Sequence, residues 1–293
     1  MSWKLGDKSP IATTLKLTYR CNLSCLHCPW HSAKSEEISC SEWKEIIRQL
    51  YQAGVRHLVF EGGKPTLRPD LSELVGFAGE LEIYTTIATN GTRSLEKYHP
   101  DRFLISIDGL KDTHNQLRGE GSFEKALEQI EKAKSRVELL VTINRLNHHQ
   151  LEEICEFFSG KVSGLWFSFN YDYQNAHPLG LNQEEMICCA QKLVELKEKY
   201  PITNFNRYLK QVGKKRACYP WLLWTVLPDG SIIKDCMIQA LEDYDCSRCE
   251  LACHREISLL LDPRAWLEEA RVYLKNFFLS KFESNQREEI VRV

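Results

Sequence analysis

Ile11-Ala12-Thr13-Thr14-Leu15-Lys16-Leu17-Thr18-Tyr19-Arg20-Cys21-Asn22-Leu23-Ser24-Cys25-Leu26-His27-Cys28 is a strand-like run that ends in three closely spaced cysteines. A helical pattern follows over residues 41–54, where Trp43, Ile46, Ile47, Leu50 and Tyr51 fall on one face. Ser41 is the expected N-cap and Gly54 the expected stop. The chain therefore opens with a strand, a cysteine-bearing loop and a helix, which is one βα unit.

The same alternation recurs. His57-Leu58-Val59-Phe60 reads as a strand ending in Glu61-Gly62-Gly63-Lys64-Pro65, with a helix near 70–79. A strand near 82–88 closes at Thr89-Asn90-Gly91-Thr92, and Phe103–Ile107 is the next, ending at Asp108-Gly109. Helix 122–134 sets Phe123, Ala126, Leu127, Ile130 and Ala133 on one stripe; strand 137–143, helix 148–159 and strand 164–169 complete the series. Six strands separated by helices predict an α/β fold with a parallel sheet and right-handed crossovers. The pattern leaves open a partial barrel or an open doubly wound sheet. In both, chemistry is expected at the C-terminal ends of the strands. The cysteines, the Gly-Gly-Lys-Pro, the Thr-Asn-Gly and the Asp-Gly all fall on that rim.

After a helix around 183–200 the character changes. Residues 205–258 are rich in cysteine and turns, Pro228-Asp229-Gly230 among them, with little helical periodicity. Asp262-Pro263 then starts a final helix, with Asp as N-cap and Pro at the first helical position. Trp266, Ala270, Tyr273, Phe277 and Phe278 give it an apolar face expected to pack on the body; a partner-binding helix is the alternative.

The chain has 293 residues, 43% apolar and 27% charged, with a net charge of −2. That is the balance of a soluble globular protein, with no push toward nucleic acid or an anionic membrane. No run approaches the roughly 18 apolar residues of a membrane span, and the N-terminal residues lack a signal-peptide core. A cytoplasmic location is expected. The twelve cysteines then read as thiols kept free for metal rather than as disulfides.

Their spacing is informative. Cys21-x3-Cys25-x2-Cys28 places three thiolates on one loop. Three can hold three irons of a cubane cluster and leave the fourth open to a small molecule, unlike a four-cysteine electron-transfer cage or a closed zinc site. A zinc knuckle is the plainer reading. Cys218, Cys236, Cys246, Cys249 and Cys253 lie within one 36-residue segment. A hairpin at Pro228-Asp229-Gly230 would bring Cys218 and Cys236 together. Clustered thiolates suit iron–sulfur, and C-x2-C pairs suit zinc equally. Cys155 and the Cys188-Cys189 pair read as packing residues, and Cys40 simply precedes a helix.

On these residues the sequence resembles the radical S-adenosylmethionine (radical SAM) superfamily over nearly its whole length. Cys21, Cys25 and Cys28 match its signature, with His27 before the third cysteine. The resemblance implies a partial (β/α)6 TIM-like barrel over residues 10–200. It also implies a [4Fe-4S] cluster whose open iron is chelated by SAM. Electron transfer would then yield a 5′-deoxyadenosyl radical that abstracts hydrogen from the substrate or adds to it. Gly62-Gly63-Lys64-Pro65 stands where the family carries Gly-Gly-Glu-Pro, an edge that receives the SAM amino group. Lys64 is a departure, and because like charges repel it is expected to point away or to pair with Glu61. Asn90, Ser106, Asp108 and Arg118 are the implied SAM contacts, Arg118 through a two-pronged contact with the carboxylate. Asn144 and Asn170 are weaker candidates.

Residues 201–260 resemble the twitch or SPASM extension of these enzymes, and 261–293 form the C-terminal helix. Five cysteines are too few for two fully ligated clusters, so one auxiliary [4Fe-4S] cluster is implied, held by four of Cys218, Cys236, Cys246, Cys249 and Cys253. The implied reductant is a flavodoxin or ferredoxin. With no leader-peptide domain read before the barrel, and no vitamin B12 domain, the expected substrate is a small molecule or lipid. A peptide is the alternative. The rival from another class is a non-catalytic iron–sulfur carrier or zinc-binding module.

Overall fold

The computed structural model describes residues 9–173, 176–214, 218–238, 246 and 249–270. The six expected strands are present as β1 (Ala12–Lys16), β2 (His57–Glu61), β3 (Tyr84–Thr89), β4 (Arg102–Ser106), β5 (Arg136–Ile143) and β6 (Gly164–Phe169). Helices α1 (Cys40–Gln52), α2 (Leu71–Glu80), α3 (Lys111–Arg118), α4 (Ser122–Lys132) and α5 (Leu151–Phe158) lie between them. After them come α6 (Gln183–Leu196), the short α7 (Asn206–Leu209), β7 (Leu223–Val226), β8 (Ile232–Ile233) and α8 (Ala252–Ser258).

Strands β1 to β6 pair in sequence order and in parallel. On the other side of β1, β7 adds in parallel and β8 returns antiparallel, giving the order β6-β5-β4-β3-β2-β1-β7-β8. The cysteine-rich segment thus continues the barrel sheet. Pro228-Asp229-Gly230 does form the β7–β8 turn, with Gly230 at φ +84°. One chamber touches side chains from β1 through β7. A flat sheet cannot gather seven strands around one space, so the curled partial barrel is the observed form.

Alternation sets the core. Leu15 and Leu17 point outward against Trp43, Ile47 and Leu50 of α1, all buried, while Thr14 and Lys16 point into the chamber. The N-cap of α1 is Ser39, not Ser41: its hydroxyl accepts from the Glu42 amide and the Glu42 carboxylate reaches back, a capping box. Cys155 and Cys189 are core residues, but Cys188 is exposed. Residues 263–270 are helical. Trp266 is 52% exposed and the buried residue is Ala265, so this part docks through Ala265 and through Glu269, which pairs with Lys197 at 2.8 Å. Tyr273, Phe277 and Phe278 lie outside the described residues. Among those residues no helix is long and apolar enough to cross a membrane.

Candidate functional site

The cysteine loop leaves the end of β1 and is clasped by the segment after β2. Gly63 N donates to Thr18 O at 2.6 Å and Lys64 N to Arg20 O at 2.8 Å. A Cβ on Gly62 would strike the Thr18 carbonyl, and one on Gly63 the carbonyls of Tyr19 and Arg20. The glycine pair is therefore required by the cysteine loop itself, whose backbone lies against it. Leu26 N donates to Leu117 O at 2.9 Å, tying the loop to the end of α3 as well. Cys25 is buried, Cys21 and Cys28 are half-buried, and all three line the chamber, whose volume is about 340 Å³.

Lys64 does not pair with Glu61, and it is not among the residues that line the chamber. It is fully buried, and its ammonium donates to Thr89 Oγ1 and Asn90 Oδ1. Glu61 is already taken by Lys16, at 2.6 Å. Asn90 Nδ2 continues to Asn22 Oδ1 at 3.3 Å, next to Cys21. Burial pushes the Lys64 amine down to about 7, while the negative charge of Cys21 pulls it up.

Ser106, the last residue of β4, lines the chamber, as do Asn90 and Arg118. Asp108 lies two residues beyond the strand end, where period-two alternation no longer applies, and it is fully buried. Its Oδ2 accepts from Arg118 Nε at 2.6 Å and its Oδ1 from Thr142 N at 3.0 Å. His27 Nε2 stands 3.5 Å from the same carboxylate. Asp108 thus aims Arg118 rather than facing the chamber. Burial pushes the Cys25 thiol up to about 11, and the Arg118 charge opposes that shift.

The place of Lys16 and Glu61 in the lining went unnoticed in the sequence. Lys16 and Glu61 form an ion pair at matched register on β1 and β2, and the Lys16 ammonium lies 4.7 Å from the Trp30 ring centroid. A polar residue at alternate positions of a strand flanked by helices was the available signal. From β6 the chamber takes Trp166, Ser168 and Phe169, and beyond it Asn170, Tyr171 and Tyr173. Phe167 is core. Asn144 is a buried turn former whose Oδ1 accepts from Leu146 N.

The second cysteine group reaches the same space, because Cys253 and His254 of α8 line the chamber. Cys253 is pushed up to about 12, first by burial and then by the charges of Cys249, Glu61 and Cys236. Burial also raises Cys218, and Cys249 and Cys236 add to it. Cys236 and Cys249 thus act on both Cys218 and Cys253. Cys246 is exposed.

The donor set fits thiolate-bound clusters. Among the described residues no group of three Cys, His, Asp or Glu side chains is placed to hold a metal ion. Two chamber-lining residues also carry a buried ring nitrogen without a hydrogen-bond partner, His27 Nδ1 and His254 Nδ1.

The comparisons agree with this geometry. The sequence model of the radical SAM superfamily matches residues 15–158. Fe-coproporphyrin III synthase of Methanosarcina barkeri is 33% identical over 162 residues, 50% of this chain and 40% of that protein. PqqA peptide cyclase of Bradyrhizobium diazoefficiens is 31% identical over 162 residues, 50% of this chain and 43% of that protein. The matched stretch spans less than half the length of these curated relatives. Among solved structures, Streptococcus suis SuiB bound to S-adenosylmethionine superposes with a TM-score of 0.68 at 13% identity, covering 87% of this chain and 66% of that one; this likeness concerns the fold. Residues 15–158, which hold the three-cysteine loop, are thus a radical SAM superfamily domain.

Proposed function

We propose that this protein reductively cleaves S-adenosylmethionine at a [4Fe-4S] cluster held by Cys21, Cys25 and Cys28, and that the radical acts on a substrate group in the barrel chamber. The observation that carries the reading is one chamber lined by those three cysteines, by Asn90, Ser106 and Arg118, and by Cys253 and His254 from the other side. Bound there, the cluster and SAM would supply a 5′-deoxyadenosyl radical by one-electron cleavage of the sulfonium bond.

The chain's own residues bind, orient and exclude water. Gly62 and Gly63 hold the cysteine loop close to β2. Arg118, aimed by Asp108, offers guanidinium N–H groups and a positive charge to a carboxylate. Asn90 and Ser106 offer hydrogen bonds from β3 and β4. Trp30, Trp166, Phe169, Tyr171 and Tyr173 give the space apolar walls that keep a radical from solvent.

Cys218, Cys236, Cys249 and Cys253 are the four we assign to an auxiliary [4Fe-4S] cluster of twitch type. Placed beside the chamber, it would anchor the substrate or accept the electron left after hydrogen abstraction. Residues 201–260 are then the auxiliary region, packed on a barrel of residues 10–200. A volume of about 340 Å³ admits a small molecule, or one group of a larger one. A small-molecule or lipid substrate is our first reading. A peptide is the second, favoured by the likeness to a PqqA peptide cyclase. A flavodoxin- or ferredoxin-type protein is the proposed reductant.

Iron and sulfide content after anaerobic reconstitution separates this reading from a zinc module. Release of 5′-deoxyadenosine from SAM separates it from an electron carrier.

A further inference from the structure

Lys64 is the residue whose presence the site above does not explain. It is 0% exposed, and burying an ammonium is costly unless an opposite charge compensates it. Its hydrogen-bond acceptors are the neutral oxygens of Thr89 and Asn90. Among the described residues no carboxylate pairs with it, since Glu61 is committed to Lys16. The negative groups that act on it are Cys21 and Cys25; Arg118 and Arg93 act with the opposite sign.

Its placement around Cys21 is two-sided. The Lys64 amide holds Arg20 O at 2.8 Å, on one side of the cysteine. On the other side its ammonium holds Asn90, and Asn90 holds Asn22 at 3.3 Å. Asn22 is held a second time, its Nδ2 donating to Thr92 Oγ1 at 2.8 Å. The side chain thus both braces the loop and brings a desolvated positive charge to it.

We infer that Lys64 is a positioning residue and the counter-charge of the cluster, bracing Cys21 from both sides and stabilising the reduced form. This rests on the proposed cluster at Cys21, Cys25 and Cys28. A cubane bound by three thiolates gains a further negative charge on reduction, and cluster potentials follow net charge, hydrogen bonding and exposure. A buried cation interacts with that charge far more strongly than an exposed one does.

The test is an anaerobic redox titration with dithionite and mediators, following the reduced-cluster signal by electron paramagnetic resonance. It compares the wild type with Lys64→Gln, which keeps an N–H donor without the charge, and with Asn90→Asp. The latter is nearly isosteric and sets a carboxylate against the Lys64 ammonium, cancelling its charge while leaving Lys64 in place. The expected result is a lower midpoint in both. A reduced fraction that falls about tenfold at fixed potential corresponds to about 59 mV for one electron. An unchanged midpoint in either cluster-loaded variant overturns the inference, and if Lys64→Gln does not fold, Asn90→Asp alone decides it. Absence of any [4Fe-4S] signal in the wild type would instead overturn the cluster reading on which the inference rests.

Discussion

Arg118 Nε donates to Asp108 Oδ2 at 2.6 Å, with both side chains buried beneath the cysteine loop. Asp108 holds the guanidinium from behind, and its burial makes the pair costly to break. Asp108→Ala would leave Arg118 as an uncompensated buried charge, so a loss of about 3–5 kcal/mol is expected. Urea denaturation of the metal-free protein measures it. A loss under 1 kcal/mol would mean that water reaches Arg118 freely.

The clasp between the glycine pair and the cysteine loop gives a steric test. Gly63→Ala drives a Cβ into the carbonyls of Tyr19 and Arg20, and overpacking against backbone is expected to cost about 3 kcal/mol. The variant should also retain less iron on reconstitution. Gly76→Ala is the control, because that glycine sits in α2 with nothing near its added Cβ; it should be neutral or stabilising by up to about 1 kcal/mol. Equal behaviour of the two would discount the clasp.

The six βα units were legible because apolar period and turn residues are local signals, and the cysteine spacing is local too. What failed was longer in range or lay past an element's end. Of the two expectations for Lys64, the pairing with Glu61 failed because Lys16, forty-five positions before Glu61, occupies that carboxylate. Asp108 was implied as a SAM contact alongside Ser106, yet β4 stops at Ser106 and Asp108 turns into the buried pair with Arg118. Nothing local says that β7 pairs with β1, which is what carries Cys253 to the chamber. Cys188 and Cys189 are adjacent, so a helix can bury one and expose the other.

Glu256 ties α8 to the barrel. Its carboxylate accepts from Trp166 Nε1 at 2.6 Å, Asn204 Nδ2 at 2.9 Å and Phe205 N at 3.1 Å, and burial pushes it from 4.5 up to about 7. An acid raised on folding binds a proton when the chain folds. Its contribution is therefore complete below about 4.5 and is lost as pH rises through about 7. The stability of the wild type relative to Glu256→Gln should fall by about 3 kcal/mol across that window. Melting curves of both proteins at several pH values measure this; a difference independent of pH would contradict it.

The two cysteine groups make separate claims on iron. Full loading would give about eight iron atoms per chain, four for each cubane. Changing any of Cys218, Cys236, Cys249 or Cys253 to Ser should remove about half, whereas Cys246→Ser should keep nearly all of it. Iron, zinc and sulfide assays on each variant decide the set. Half-loss in Cys246→Ser would move the fourth ligand to that position.

The most direct measurement of the central claim is the fate of SAM. Anaerobically reconstituted protein, reduced with dithionite and given SAM, should form 5′-deoxyadenosine and methionine in equal amounts. The Cys21→Ser, Cys25→Ser, Cys28→Ser triple variant should form neither. Loaded, reducible protein that leaves SAM intact, or a triple variant that cleaves it as well as the wild type, would contradict a SAM-cleaving cluster on this loop.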